Sequence, residues 1–340
     1  MAARSGSNLY VSLLILSALL LAPIEVSDYA TGLEVVWDIE PVSASRTYVL
    51  ERPGRVRLIE GGKLQAAAYA NLPVGTGGQG GLFDLESSPD YAKSGIVYIT
   101  HTVKGEGGHW LRLAKFKDTG TGLEDTGTIF TGPKSTDPAH FGGRMAFGPG
   151  GKLFLSLGER HEKEKAAQDG VPYGKTIAID PATKEWSVHT KGHRNPQGIA
   201  YDPASKVLAV SEHGPTNYDA PRGYDEVNIL RPGADYGWPR VWGDKTLAGT
   251  RVADKFWVEA TAPGGLDFYK GDLLVPMLAS KALWRVDLQD GKVTGSSRIT
   301  GIDAGRLRSV ATLPDGSVLV GTSNGERGRK VDKVLRITGL

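Results

Sequence analysis

The chain predicts an all-β fold, a six-bladed β-propeller of four-stranded antiparallel blades. Three observations lead there. Pro41, Pro89, Pro149, Pro203, Pro263 and Pro314 each precede a small or polar turn and then a short β-branched or aromatic run, at spacings of 48, 60, 54, 60 and 51 residues. Similar units at that period mark a propeller, with one blade per unit. Glycine is abundant, at 46 residues with no collagen-like period, as many tight turns between short strands require. No long helical pattern occurs, and even Glu162 to Gln168 is long enough only for a short turn.

The chain opens on a segment that reads as an export signal. Arg4 supplies positive charge, and Leu9 to Pro23 is apolar or small with no charge before Glu25. That core is shorter than the ~20 residues of a membrane span. Residues 1–30 are therefore expected to be a cleaved signal peptide, or else an uncleaved anchor, and either places the body outside the cytoplasm. Residues 31–340 are expected to form one propeller domain, since no flexible linker divides them. Its repeating runs are Thr47–Leu50, Ile96–Thr100, Leu153–Ser156, Val207–Val210, Leu273–Val275 and Val318–Val320.

Composition narrows the function. The net charge is +2, too little for a general nucleic-acid binder, which needs a basic face to neutralise phosphates. The absence of cysteine excludes disulfides and thiolate metal sites. Propellers place ligands on the central axis, lined by loops from several blades, so residues far apart in sequence can meet there.

The least generic stretch runs from Lys191 to Pro239. It holds Lys191-Gly-His-Arg-Asn-Pro-Gln-Gly198, Ser211-Glu-His-Gly-Pro215, Asp225-Glu-Val-Asn228 and Tyr236-Gly-Trp-Pro239. Arg194, Asn195 and Gln197 are donor-rich side chains fixed beside a proline and a glycine. The Gly214-Pro215 turn can aim carbonyls at a hard cation. Together they point to a polyanionic ligand held with a metal; the alternative is a set of loop residues that only hydrogen-bond each other. Arg306 and Arg308 flank Leu307, so on a strand both face one side, and arginine forks suit carboxylates.

These motifs, with Gly78-Gln-Gly-Gly-Leu82, His140-Phe-Gly-Gly-Arg144, Ala167-Gln-Asp169 and Gly305-Arg-Leu-Arg308, resemble the soluble quinoprotein aldose sugar dehydrogenases. These are relatives of soluble glucose dehydrogenase that use pyrroloquinoline quinone (PQQ). The resemblance extends from about Leu33 onward. It implies oxidation of an aldose at C1 to the lactone, with electrons passed to an external acceptor. It makes His140 the general base, beside two glycines that would let a sugar approach. It assigns Gln79, Arg194, Asn195, Arg306 and Arg308 to the cofactor. Trp257 either covers the cofactor or packs in a blade core. The carbonyls of Gly214 and Pro215 would bind the Ca2+ that bridges PQQ. Glu226 and the Tyr236 carbonyl would hold a second Ca2+, unless Glu226 is a cap or surface carboxylate. Two positions depart from the glucose dehydrogenase branch. Ala279 stands where a lysine lies near the cofactor, and Ala139 stands where a carboxylate contacts sugar. Close relatives are also shorter between Thr216 and Tyr224, a loop expected to border the cleft mouth. A metal-dependent propeller lactonase and a non-catalytic binding propeller are the rival readings. The chain is expected to be a monomer or a homodimer.

Overall fold

The computed structural model describes residues 23–325 and 328–340. They form six antiparallel sheets of four strands, one of which gains a short fifth strand, Ala70–Asn71. The innermost strands of blades one to six are Val36–Ser43, Leu82–Ser87, Gly142–Phe147, Asn195–Asp202, Asp267–Tyr269 and Leu307–Thr312. Each packs against the next, and the sixth returns to the first, closing a ring. The all-β, six-bladed propeller is thus the observed fold.

The repeat read from the sequence has a definite place in it. All six apolar runs fall on the second strand of their blades, from Arg46–Glu51 to Val318–Thr322. These strands have neighbours on both edges and are almost wholly buried, so they carry the densest β-branched sequence. Pro89, Pro149, Pro203 and Pro314 lie in the hairpin just before that strand. Pro41 lies at the end of an inner strand, and Pro263 precedes one. Core clusters fill each gap between neighbouring blades: Phe83, Leu113, Met145 and Leu155 between two and three, for example, and Ala200, Val227, Leu273 and Val286 between four and five.

The domain boundary differs from the expected one. Glu25–Leu33 is already a strand of the propeller, the outermost of blade six, paired antiparallel with Asp332–Thr338. An N-terminal strand hydrogen-bonded to the C-terminal one covers the edge of Asp332–Thr338 and ties the ring shut. The body therefore begins by Glu25, not after residue 30. Residues 1–22 of the leader expected over residues 1–30 lie outside the described residues. Among the described residues no helix is long and apolar enough to cross a membrane.

The inner strands are edges too, facing a central channel of about 590 Å3. Their spare amides are capped by carboxylates from the preceding blade. Asp38 Oδ2 accepts from Leu85 N at 3.1 Å and Glu40 Oε1 from Ser87 N at 3.0 Å. Asp84 and Glu86 repeat the pattern on Met145 N and Phe147 N, and Asp267 does so on Thr312 N. Arg144 sits among them, donating to both Asp38 and Asp84 at 2.9 Å. Burial pushes the Glu40 carboxyl up to about 8 and Asp267 up to about 6. A carboxyl whose pKa is higher folded than unfolded keeps its proton longer in the fold, so its contribution to stability falls as pH rises between the two values. Glu40→Gln should therefore gain in Tm relative to the parent as pH is raised from about 5 to 9, read by thermal melts. A difference independent of pH would show that Glu40 is ionised throughout.

Candidate functional site

All inner strands run the same way along the axis, so the segments that precede them gather at one end of the channel. His140, Gln79, Arg194 and the Arg306–Arg308 turn each lie at the start of an inner strand, in blades three, two, four and six. The loops between second and third strands, residues 158–174 and 214–224, rise at the same end.

His140 is 5% exposed and held in a left-handed conformation, φ 47°. Its backbone N–H donates to Gln79 Oε1 at 2.9 Å, while Gln79 N donates to Pro138 O at 2.8 Å. Gln79 thus secures the turn carrying His140. The two glycines after it are also required by packing. A Cβ on Gly143 would stand 2.8 Å from the Phe83 ring, and one on Gly142 would press on the Ser156 carbonyl. Both glycines have positive φ, at 68° and 90°, which L side chains resist.

The imidazole Nδ1 is hydrogen-bonded to Glu159 Oε1, which fixes the ring and leaves Nε2 for a ligand. Burial, then the positive Arg194, holds the His140 pKa well below 6.5, so the ring is neutral at pH 7. Burial pushes Glu159 up to about 7. The neighbouring Arg160 staples this loop. Its guanidinium donates to Ala139 O at 2.9 Å and to Asp137 O, and it lies 3.9 Å over the Phe141 ring. His161 turns its ring edge-on to His140, centroids 4.1 Å apart.

Arg194 is buried and donates from Nε to Asp219 Oδ2 at 2.7 Å. Asp219 belongs to the long loop after Pro215, which therefore does border this mouth: Tyr218, 86% exposed, brings its ring within 6.1 Å of His161. Asn195 accepts from Gln197 at 3.0 Å, but its Nδ2 is buried with no partner among the described residues. Arg306 and Arg308 both line a neighbouring cavity of about 300 Å3, with Arg52 and Ser323. Arg306 donates to Ser323 O at 3.1 Å. Arg308 is 8% exposed and stacks 3.9 Å over Trp37. It makes no ion pair among the described residues, and its Nε has no hydrogen-bond partner there. Burial, with Arg144, Arg306 and Arg52 nearby, holds its pKa well below the usual arginine range.

Gly214, Pro215, Glu226 and Tyr236 surround one small hole of about 10 Å3, room for a single water-sized sphere. Two separate sites were expected of these four; the structure gathers them around one opening. Glu226 is buried beside Glu212 and pushed up to about 8 by burial and that second carboxyl. It accepts from Gly243 N at 2.7 Å and Asn228 Nδ2 at 3.0 Å, so it is neither a helix cap nor a surface carboxylate. Tyr236 stacks its ring on His193, centroids 4.9 Å apart.

Trp257 does not join the site. It lies on Lys255–Trp257, the outermost strand of blade four, where its ring packs in the core between blades four and five, edge-on to Trp284 at 5.6 Å. An outer strand cannot reach the axis, so the blade-core reading holds.

Glu159, Arg160, His161 and Asp219 were missed by sequence reasoning. A signal for Glu159 was present. His193 Nδ1 bonds Glu212 Oε1 at 2.8 Å in blade four, and both this pair and His140–Glu159 are 19 residues apart. Successive blades place a histidine before the inner strand and a glutamate at the end of the second.

The glucose/sorbosone dehydrogenase family matches residues 33–332. The aldose sugar dehydrogenase YliI of Escherichia coli (strain K12) is 32% identical over 316 residues, 81% of this chain and 84% of that protein. The apo-form structure of the soluble aldose sugar dehydrogenase from Escherichia coli superposes with a TM-score of 0.82 at 27% identity, covering 94% of this chain and 100% of that one. The PQQ-bound aldose sugar dehydrogenase from Streptomyces coelicolor gives a TM-score of 0.79 at 27% identity, covering 93% and 98%.

Proposed function

Because the chain belongs to the glucose/sorbosone dehydrogenase family, we propose that it oxidises aldose sugars at C1 to the lactone, using PQQ and Ca2+ and passing electrons to an external acceptor. One observation carries the cofactor reading: Arg308 is buried among three other guanidiniums without an anion of its own among the described residues. An unpaired buried cation is costly, and a ligand with several carboxylates removes that cost through charge-assisted bonds. Asn195 Nδ2, a second buried donor without a partner, fits the same ligand. Arg306, Arg308, Arg194 and Asn195 would hold the carboxylates of PQQ. The carbonyls of Gly214 and Pro215, with Glu226 and Tyr236, offer oxygen ligands of the kind that Ca2+ takes, and two adjacent buried carboxyls, Glu212 and Glu226, favour a cation beside them. When bound, PQQ supplies a quinone that accepts the two electrons of sugar oxidation, and Ca2+ polarises its carbonyl.

The chain's own part is proton transfer and orientation. Neutral His140 takes the C1 hydroxyl proton on Nε2, and Glu159 behind Nδ1 balances the imidazolium that forms. With Ala139 in place of a carboxylate, the sugar has fewer fixed contacts than in the glucose branch, and Ala279 leaves the cofactor without the lysine charge used there. The body is assigned to the extracytoplasmic side. Adding PQQ and Ca2+ to purified apoprotein should produce aldose-dependent dye reduction. Cofactor binding without reduction across a panel of aldoses would overturn the sugar reading. Hydrolysis of lactones with Ca2+ alone would establish the lactonase instead.

Asp219 occupies the arginine that PQQ would use. Asp219→Asn should lower the apoprotein Tm, since it breaks a buried pair, yet tighten PQQ by about 1 kcal/mol, roughly fivefold. Fluorescence titration reads both parent and variant; weaker binding would mean that Asp219 positions Arg194 for the ligand rather than competing for it.

A further inference from the structure

Glu159 has a side that proton transfer does not use. Its Oε1 faces His140 Nδ1, while its Oε2 is buried with no hydrogen-bond partner among the described residues, in a side chain 1% exposed. A buried carboxylate oxygen without a hydrogen-bond partner is costly, and a cation would relieve that cost. The third group is His161. Its left-handed backbone, φ 57°, swings the ring back onto His140. One ligand atom from each of His140, Glu159 and His161 lies within 4.8 Å of the other two. His161 is also prepared for a metal: its Nδ1 is bonded to Asp137 Oδ2 at 2.6 Å. That bond fixes the tautomer and leaves the Nε2 lone pair free, as the outer carboxylate does in many zinc sites.

We propose that His140, Glu159 and His161 form a binding site for a first-row divalent cation, Zn2+ being the ion they suit best. Two imidazoles and one carboxylate match Zn2+, which takes four nitrogen, oxygen or sulfur ligands and keeps a water in the last position. They do not match Ca2+, which needs six to eight oxygens. The site is separate from the small hole beside Gly214 and Glu226, so both ions can be present together. Access is open, since the His161 and Asp137 side chains are 33% and 36% exposed. Binding stands independently of the quinone reading. If that reading holds, the consequence is reversible inhibition, because an ion on the His140 cluster ties up the group that accepts the sugar proton.

The test uses apoprotein stripped with a chelator and titrated with ZnCl2 by calorimetry in excess CaCl2. One Zn2+ per chain should bind, undiminished by Ca2+. His161→Ala should weaken it at least ~10-fold, and Asp137→Asn should weaken it less. Absence of one-to-one binding, or equal affinity in His161→Ala, overturns the assignment. Should that variant not fold, Co2+ absorption of the parent decides. Intense visible bands of a four- or five-coordinate nitrogen and oxygen site support the proposal; the weak bands of an octahedral surface ion reject it.

Discussion

Replacing His140 with alanine should lower kcat by about 10²–10⁴-fold while leaving PQQ and Ca2+ affinity nearly unchanged. Hydride leaves C1 readily only when the hydroxyl there gives up its proton, and in the proposed reaction the buried, neutral imidazole accepts it. The proposed cofactor donors lie on other blades, at the starts of Asn195–Asp202 and Leu307–Thr312, so truncating His140 removes none of them. Glu159 sets the pH dependence. Its carboxyl is pushed up to about 7 by burial; once protonated it cannot balance an imidazolium at Nδ1. Activity should therefore fall as pH drops through about 7, even though the histidine itself ionises lower, and the pair will titrate as a unit. Glu159→Gln should remove this acid limb and depress the plateau. The decisive measurement is single-turnover reduction in His140→Ala saturated with PQQ and Ca2+. Reduction at the parental rate would assign proton transfer to another group.

The sequence disclosed the ring more fully than the site, for reasons that lie in the residues. A blade repeats six times, and each repeat places its most apolar run on a strand flanked on both edges, so Leu153–Leu157 and Val207–His213 stood out against their surroundings. Candidate residues on turns with proline and glycine, such as Arg194 near Pro196, also stood out, because a rigid turn holding polar donors advertises itself. What escaped depends on distance in space. Trp257 reads identically on an inner or an outer strand, and only strand order places it far from the axis. Arg160 reads as a surface arginine; its role comes from carbonyls of Asp137 and Ala139, 23 and 21 residues earlier, brought beneath it. Residues 25–30 looked like the end of a leader because their partner, Asp332–Thr338, lies at the opposite end of the chain. The His140–Glu159 pair was hidden for another reason. Its echo in His193–Glu212 becomes a signal only once the two blades are known to be equivalent.

Arg308→Met should make the apoprotein more stable and the holoprotein harder to form. The guanidinium is packed on Trp37 at 3.9 Å, with other cations around it and no ion pair of its own among the described residues. Methionine keeps the apolar contact with the ring and removes a charge that the fold has not neutralised, so the apoprotein Tm should rise. On the proposed cofactor reading, the same change deletes a charge-assisted bond to a ligand carboxylate. That costs roughly 1.5–3 kcal/mol, or about 10–100-fold in PQQ affinity. Arg306→Ala should have the smaller effect on both counts, because Arg306 is exposed and already bonded to the Ser323 carbonyl. Opposite signs at one residue separate the cofactor reading from a structural one. If Arg308 were only a packing element, its replacement would lower Tm and leave PQQ binding alone. Paired melts and equilibrium titrations of the parent, Arg308→Met and Arg306→Ala read both quantities. A stabilised Arg308→Met that bound PQQ as tightly as the parent would take Arg308 out of the cofactor site.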